Sequence, residues 1–247
     1  MSLTAQLREI MTKFAHRHGC ESTSTLAIRA ENCWSISVSC DLPQFGSIRL
    51  RNLQPGDVRS MADFGTRLGP EAKEMFCPYP WKEPEALPKA FQAAIEQSVN
   101  RVDASYLIED GEGGTIGHFF LWKAGGNPHS QAFGLELPEL GVAVADAWQG
   151  KGLGSLSVRI LQAVARDLQA DAVELTTAMD NGAGWNTYLR CGFEYTGIIR
   201  NPLDVDVTAA INGDVQATRF RDERQMVEVI NDVKRECVLD YLATKRQ

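Results

Sequence analysis

Apolar residues recur at helical spacing over residues 3 to 18, where Leu3, Leu7, Ile10, Met11 and Phe14 share one face. Two short runs follow, 25 to 30 and 33 to 39, with the alternation of strands. Ile48 to Leu53 reads as a further strand. Pro55-Gly56-Asp57 opens a helix carrying Val58, Met61, Phe64 and Leu68, and a second helix spans Pro84 to Val99. Between them Phe76-Cys77-Pro78-Tyr79-Pro80-Trp81 is a proline-broken loop with three aromatics, suited either to the core or to a pocket wall. Residues 105 to 110 and 115 to 123 flank a glycine turn and form a hairpin. A loop rich in Gly, Asn and Pro runs from Ala124 to Phe133. Strands are expected at Leu140 to Ala145, Val173 to Ala178, Tyr195 to Arg200 and Gln225 to Ile230, and a hairpin around Asn212-Gly213. Long and short helices are expected at Leu153 to Leu168 and around Tyr188, and a last one at Asp232 to Leu242.

The chemistry concentrates where the strand ending at Ala145 gives way to the helix at Leu153. Gln149-Gly150-Lys151-Gly152-Leu153-Gly154 lies between them. Strand, glycine turn and helix N-terminus direct backbone N–H groups at one point, and the helix dipole adds roughly half a positive charge there. Glycine lets a phosphate approach the backbone and tolerates positive φ. No Gly-Lys-Ser/Thr ends the loop, and its glycines alternate, so neither the nucleotidase nor the dinucleotide fingerprint applies. A plain strand-to-helix turn would need no further signal downstream.

There is one. Asn181 stands at the end of the next strand, Tyr188 lies seven residues on, and Gly192-Phe193 begins four residues later. Glu139-Leu140-Gly141-Val142-Ala143-Val144 runs into the loop from upstream. These linked motifs resemble the GNAT superfamily of acyl-CoA-dependent N-acyltransferases, over roughly residues 47 to 200 and most strongly from 139 to 197. The resemblance implies an α/β fold: a mixed, mostly antiparallel sheet of about seven strands with splayed central strands, flanked by helices. Residues 1 to 45 would be an N-terminal extension that lengthens the sheet, covers an edge or makes a dimer contact. Residues 46 to 247 would form the acyltransferase domain with a C-terminal hairpin and helix.

The resemblance also implies acetyl-CoA as co-substrate. Amides from Gly150 through Lys151, Gly152, Leu153 and Gly154 would hold the pyrophosphate. Gln149, Lys151 and Ser155 flank that site, and Arg159 is either within reach of a ribose phosphate or on a solvated helix face. Val142, Ala143 and Val144 would pair with pantetheine, and Asn181 would bond the cofactor arm while also suiting a helix cap. Glu139, ten residues before Gln149, is the expected general base, with Glu136 as the fallback; partial burial would raise its pKa toward neutrality. Tyr188 is the expected proton donor to the departing thiolate. Gly182 and Gly184 weaken the start of the helix that carries it, which is expected to fray or reshape.

Composition changes the picture little. The chain has 247 residues, 44% of them hydrophobic, enough for one large core. A formal charge of −7 argues against general nucleic-acid binding and requires any anionic ligand to meet a local basic patch. Six cysteines without Cys-x-x-Cys spacing, scattered histidines and no spanning apolar run point to a reduced cytoplasmic protein with no metal and no membrane. The acceptor is an amine on a small molecule or a protein, and a homodimer is compatible with the edge strands. Two functions stay open: an N-acetyltransferase working by direct attack in a ternary complex, and a non-catalytic acyl-CoA sensor on the same fold.

Overall fold

The computed structural model describes residues 1–22, 24–203 and 219–246. The expected hairpin around Asn212-Gly213 lies outside them. Among the described residues nine strands form one sheet, not about seven. In chain order they are β1 (Ala27–Ala30), β2 (Ile36–Leu42), β3 (Gly46–Asn52), β4 (Ala104–Asp110), β5 (Thr115–Trp122), β6 (Glu139–Val144), β7 (Ala172–Ala178), β8 (Glu194–Leu203) and β9 (Arg219–Val229). Their spatial order is β1-β2-β3-β4-β5-β6-β7-β9-β8. The excess has a simple cause: β2 bonds antiparallel to β3 from Ser37 opposite Arg51 to Leu42 opposite Gly46, and β1 adds to β2. The leading segment therefore extends the sheet. Its second strand starts three residues later than the apolar run from Cys33, because Asn32 holds a turn: its Oδ1 accepts from the N–H of Trp34 at 2.9 Å.

Helices cover both faces. On one face lie α1 (Leu3–Arg17) and α6 (Leu153–Asp167), packed on each other. The other carries α2 (Val58–Thr66) and α4 (Leu87–Val99) over Leu107, Phe120 and Ala143, and, further along, α8 (Arg235–Thr244) over Ala172 and Val227. Two short helices that periodicity does not disclose, α3 (Pro70–Met75) and α5 (Pro128–Gln131), sit within connections. The regular helix α7 (Gly182–Arg190) precedes β8.

α6 is buried more completely than an amphipathic surface helix. Leu153, Leu156, Ile160 and Val164 face the core, as their spacing demands, but Val158, Leu161 and Ala165 are buried too. The explanation is α1, whose Leu7, Met11 and Phe14 belong to the same apolar cluster. Each aliphatic side chain so covered contributes roughly 2 kcal/mol. The leader is thus part of what fixes the helix that follows the glycine loop.

Central strand β5 is buried on both faces, which places His118 in the core. Its Nδ1 faces the Tyr106 carbonyl at 3.1 Å, so that nitrogen carries the proton; its Nε2 then accepts from the Tyr79 hydroxyl at 2.9 Å. Burial pushes the imidazole pKa down to about 4, opposed by the Tyr106 bond. Of the three aromatics in the proline loop, Tyr79 is core, Trp81 is half-buried, and Phe76 reaches a cavity described below.

Candidate active site

Among the described residues β6 and β7 are the one parallel pair, and they are in register only at Glu139 opposite Glu174. β6 bonds to β5 along its whole length, from Trp122 opposite Glu139 to Gly117 opposite Val144. Beyond Glu139 its other edge has no strand beside it among the described residues. Unpaired backbone groups there must find a partner. The strands splay, and a cavity of about 790 Å³ opens between them. Gly141, Val142, Ala143 and Val144 line one wall, Thr176 and Thr177 the other, and Phe76 lies at the margin.

The glycine loop closes one end of this cavity. Gly150 and Gly152 have φ of +72° and +82°, a region costly for other residues. A Cβ added at Gly150 or Gly154 would meet no protein atom within 4 Å, so the space above the loop is open. Gly152 caps α6 without a side-chain hydrogen bond, leaving the first N–H groups of the helix for something else. Gln149 is tied back: its Nε2 donates to the Val144 carbonyl at 3.2 Å and to Asp146 Oδ1 at 3.3 Å. Asp146 Oδ2 accepts from the N–H of Gly69 at 3.0 Å, which joins the loop to the start of α3.

Four cations line the cavity: Arg17, Lys151, Arg159 and Arg190. Lys151 stacks over Trp148 at 4.8 Å and Phe45 at 5.5 Å. Arg159 is exposed and donates to the Arg190 carbonyl at 3.3 Å. Two carboxylates also line it, Glu71 and Asp146. A chain of net charge −7 therefore presents a locally basic cleft.

Tyr188 projects from α7 into the same cavity. Its ring packs on Phe193 at 6.0 Å, and among the described residues no group hydrogen-bonds its hydroxyl. Burial, with a smaller effect of Cys191, pushes the phenol up to about 12, so it is protonated at neutral pH. α7 does not fray. Asn181 Oδ1 accepts from the N–H of Gly184 at 2.8 Å, and its Nδ2 donates to Thr177 Oγ1 at 3.0 Å. A Cβ at Gly184 would come within 2.6 Å of that amide, so glycine is what lets the cap close. At the far end Gln162 Nε2 donates to the Cys191 carbonyl at 2.7 Å and ties α7 to α6. Asn181 is thus the N-cap, with one lone pair and one N–H to spare.

Glu139 is not among the residues that line the main cavity. It stands at the closed end of the splay, half-buried in a smaller pocket of about 400 Å³ with Glu174, Lys123, Tyr241 and Lys245. It shares a sheet face with Gly141 and Ala143, two and four residues on. Burial raises its pKa, and the neighbouring Glu174 raises it further. Glu174 is also raised by burial but is held by Lys245, whose Nζ donates to Oε1 at 2.5 Å. Glu136, the fallback, is exposed and bonded to Gln131 at 3.0 Å; it lines neither of these two cavities. Sequence reasoning missed Arg17, His18, Glu174 and Thr176. Only Glu174 left a signal, a charge inside a buried strand pattern.

Among the described residues no cluster of metal-ligating side chains occurs, and no helix is long and apolar enough to cross a membrane. A splayed parallel pair, a glycine loop at a helix N-terminus and a tyrosine facing the cleft define an acyl-transfer fold. Residues 47–194 match the family model described as an acetyltransferase (GNAT) domain. The chain belongs to the GNAT family and is an acyltransferase. It is 28% identical over 131 residues to an uncharacterised N-acetyltransferase, YdgE, of Bacillus subtilis, covering 51% of this chain and 80% of that protein. Its fold is similar to that of the ribosomal-protein-S5-alanine acetyltransferase of Vibrio fischeri, with TM-score 0.58 and 13% identity, over 75% of this chain and 94% of the other. It is also similar to Mycobacterium smegmatis RimJ in complex with CoA-disulfide, with TM-score 0.54 and 16% identity, over 90% and 93% of the two chains.

Proposed function

We propose that this protein transfers an acetyl group from acetyl-CoA to a primary amine, by direct attack within a ternary complex in the cytoplasm. The observation that carries the reading is the open glycine cradle at the N-terminus of α6, continuous with the unpaired edge of β6. Acetyl-CoA supplies the activated acyl group. Amides of Gly150, Lys151, Gly152, Leu153 and Gly154 hold its pyrophosphate, helped by the Ser155 hydroxyl and the Lys151 charge, with Gln149 shaping the turn. Backbone groups of Val142, Ala143 and Val144 pair with the pantetheine arm as an added strand would, and the spare N–H of Asn181 reaches it from the opposite wall. A backbone N–H of β6 stabilises the oxyanion, a role worth about 3 kcal/mol.

Glu139 receives the amine proton. Its raised pKa suits a base working near neutrality, and its place beyond Gly141 means the proton travels through water rather than by direct contact. Tyr188 donates a hydrogen bond to the departing thiolate. Arg159 lies near enough to the loop to meet the nucleotide end of the ligand.

Calorimetric titration with acetyl-CoA tests the reading, on the unmodified chain and on a Gly152→Asp/Gly154→Asp variant. Micromolar binding that the variant loses, followed by release of free thiol with members of an amine panel, is the expected result. Binding without thiol release for any amine would favour a sensor, and no binding would remove the acyl-CoA reading altogether.

A further inference from the structure

α1 ends against the glycine loop. Gly19, at φ +84°, reverses the chain, so His18 is the C-cap and Arg17 the last helical residue. Both line the main cavity, although both precede the part of the chain that matches the family model. His18 is 8% exposed, wedged between Phe14 and Phe45 at ring distances of 4.5 and 4.7 Å. Among the described residues its Nε2 has no hydrogen-bond partner. That nitrogen lies 3.7 Å from where a Cβ of Gly152 would stand. A buried imidazole nitrogen left without a partner is unfavourable, so its retention needs a reason. Arg17 is exposed, makes no ion pair among the described residues, and borders both the main cavity and a neighbouring groove of about 470 Å³ between α1 and α6. That groove shares Gly152, Ser155 and Arg159 with the cavity. The negative end of the α1 dipole points the wrong way for an anion, and the Arg17 guanidinium in its last turn offsets it.

We infer that the leader is part of the ligand site: Arg17 and His18 bind a phosphate group of the nucleotide arm of CoA at Gly152, from the side opposite the α6 amides. The inference rests on the acyl-CoA reading above. A donor at Nε2 meets a phosphate oxygen, and the Arg17 guanidinium adds a charge-assisted bond. It explains why the loop's middle glycine packs against an added helix, and why an orphaned polar atom is kept beneath it.

The test is calorimetric binding of CoA, dephospho-CoA and pantetheine to the unmodified protein and to Arg17→Gln and His18→Phe variants, with melting temperatures alongside. Each substitution should weaken CoA about tenfold and leave pantetheine binding unchanged. The same loss with dephospho-CoA assigns the contact to the pyrophosphate; a loss confined to CoA assigns it to the 3′-phosphate. His18→Phe preserves the aromatic packing; if it nonetheless lowers the melting temperature, the exposed Arg17→Gln decides. CoA affinities of both variants within twofold of the unmodified protein would overturn the inference and leave the cofactor reading standing. Failure of the unmodified protein to bind CoA would remove that reading itself.

Discussion

Tyr188→Phe separates chemistry from packing better than any other single change. The hydroxyl has no partner among the described residues, and the ring is held by Phe193, so phenylalanine keeps every contact the structure shows. Stability should move by no more than about 0.5 kcal/mol, which for a chain of this size is about 2 °C or less in melting temperature. The catalytic effect is set by two pKa values. Burial holds the phenol at about 12, whereas an ordinary thiol lies near 8.5. Complete proton transfer to the thiolate is uphill by about 3.5 units, or about 5 kcal/mol. In the proposed mechanism Tyr188 therefore serves as a hydrogen-bond donor to developing negative charge, and removing one such donor costs about 10²- to 10³-fold in kcat. Acetyl-CoA affinity should hardly change. The assay is thiol release at saturating acetyl-CoA and acceptor, with a calorimetric Kd and a melting curve for each protein. A kcat within threefold of the unmodified protein would refute the assigned role. A melting temperature lowered by many degrees would refute the premise that the hydroxyl is structurally idle.

Three further outcomes follow from named contacts. His118 is neutral in the fold, with a pKa depressed to about 4 against about 6.5 when unfolded. The unfolded chain thus binds the extra proton between those values, so stability falls as pH drops from about 6.5 to 4, by about 3 kcal/mol in all. Urea unfolding across that window should show the slope, and a His118→Gln variant that retained it would place its origin elsewhere. Glu139→Gln should abolish an acidic limb in the pH–rate profile whose midpoint lies above the ordinary carboxylate range, since burial and Glu174 both raise Glu139; an unchanged limb would assign it to another group. Asn181→Ala deletes the α7 cap and should cost about 1 kcal/mol in chemical denaturation. A loss below about 0.3 kcal/mol would mean that the cap is carried by other contacts.

What could be read from residue order, and what could not, divides along the range of the interactions. The β6–loop–α6 unit was legible because its signals are local: alternating glycines, an apolar strand before them and a 3.6-residue period after. The same holds for Asn181, Tyr188 and Gly192, which act within one helix and its caps. α3 and α5, of six and four residues, are too short to show a period. β2 was misplaced because Cys33 and Trp34 are apolar yet sit in a turn that Asn32 dictates. The destination of the leader depends on the free edge of β3 and on the outer face of α6, and neither surface is written in residues 1 to 45.

Glu139 shows where spacing stops being informative. Ten residues before Gln149 puts a carboxylate on β6, and period two puts it on the face of Gly141 and Ala143. Spacing does not say where β7 leaves β6. The strands part immediately after Glu139 and Glu174, so the carboxylate marks the apex of the cleft and not its wall. Its raised pKa has the same origin. At the apex, where the sheet is still closed, Glu139 is drawn up beside a second carboxylate with Lys245 compensating. The tuning of the proposed base and its distance from the cavity wall are thus two consequences of one residue pair. Moving the splay by one register step would change both together.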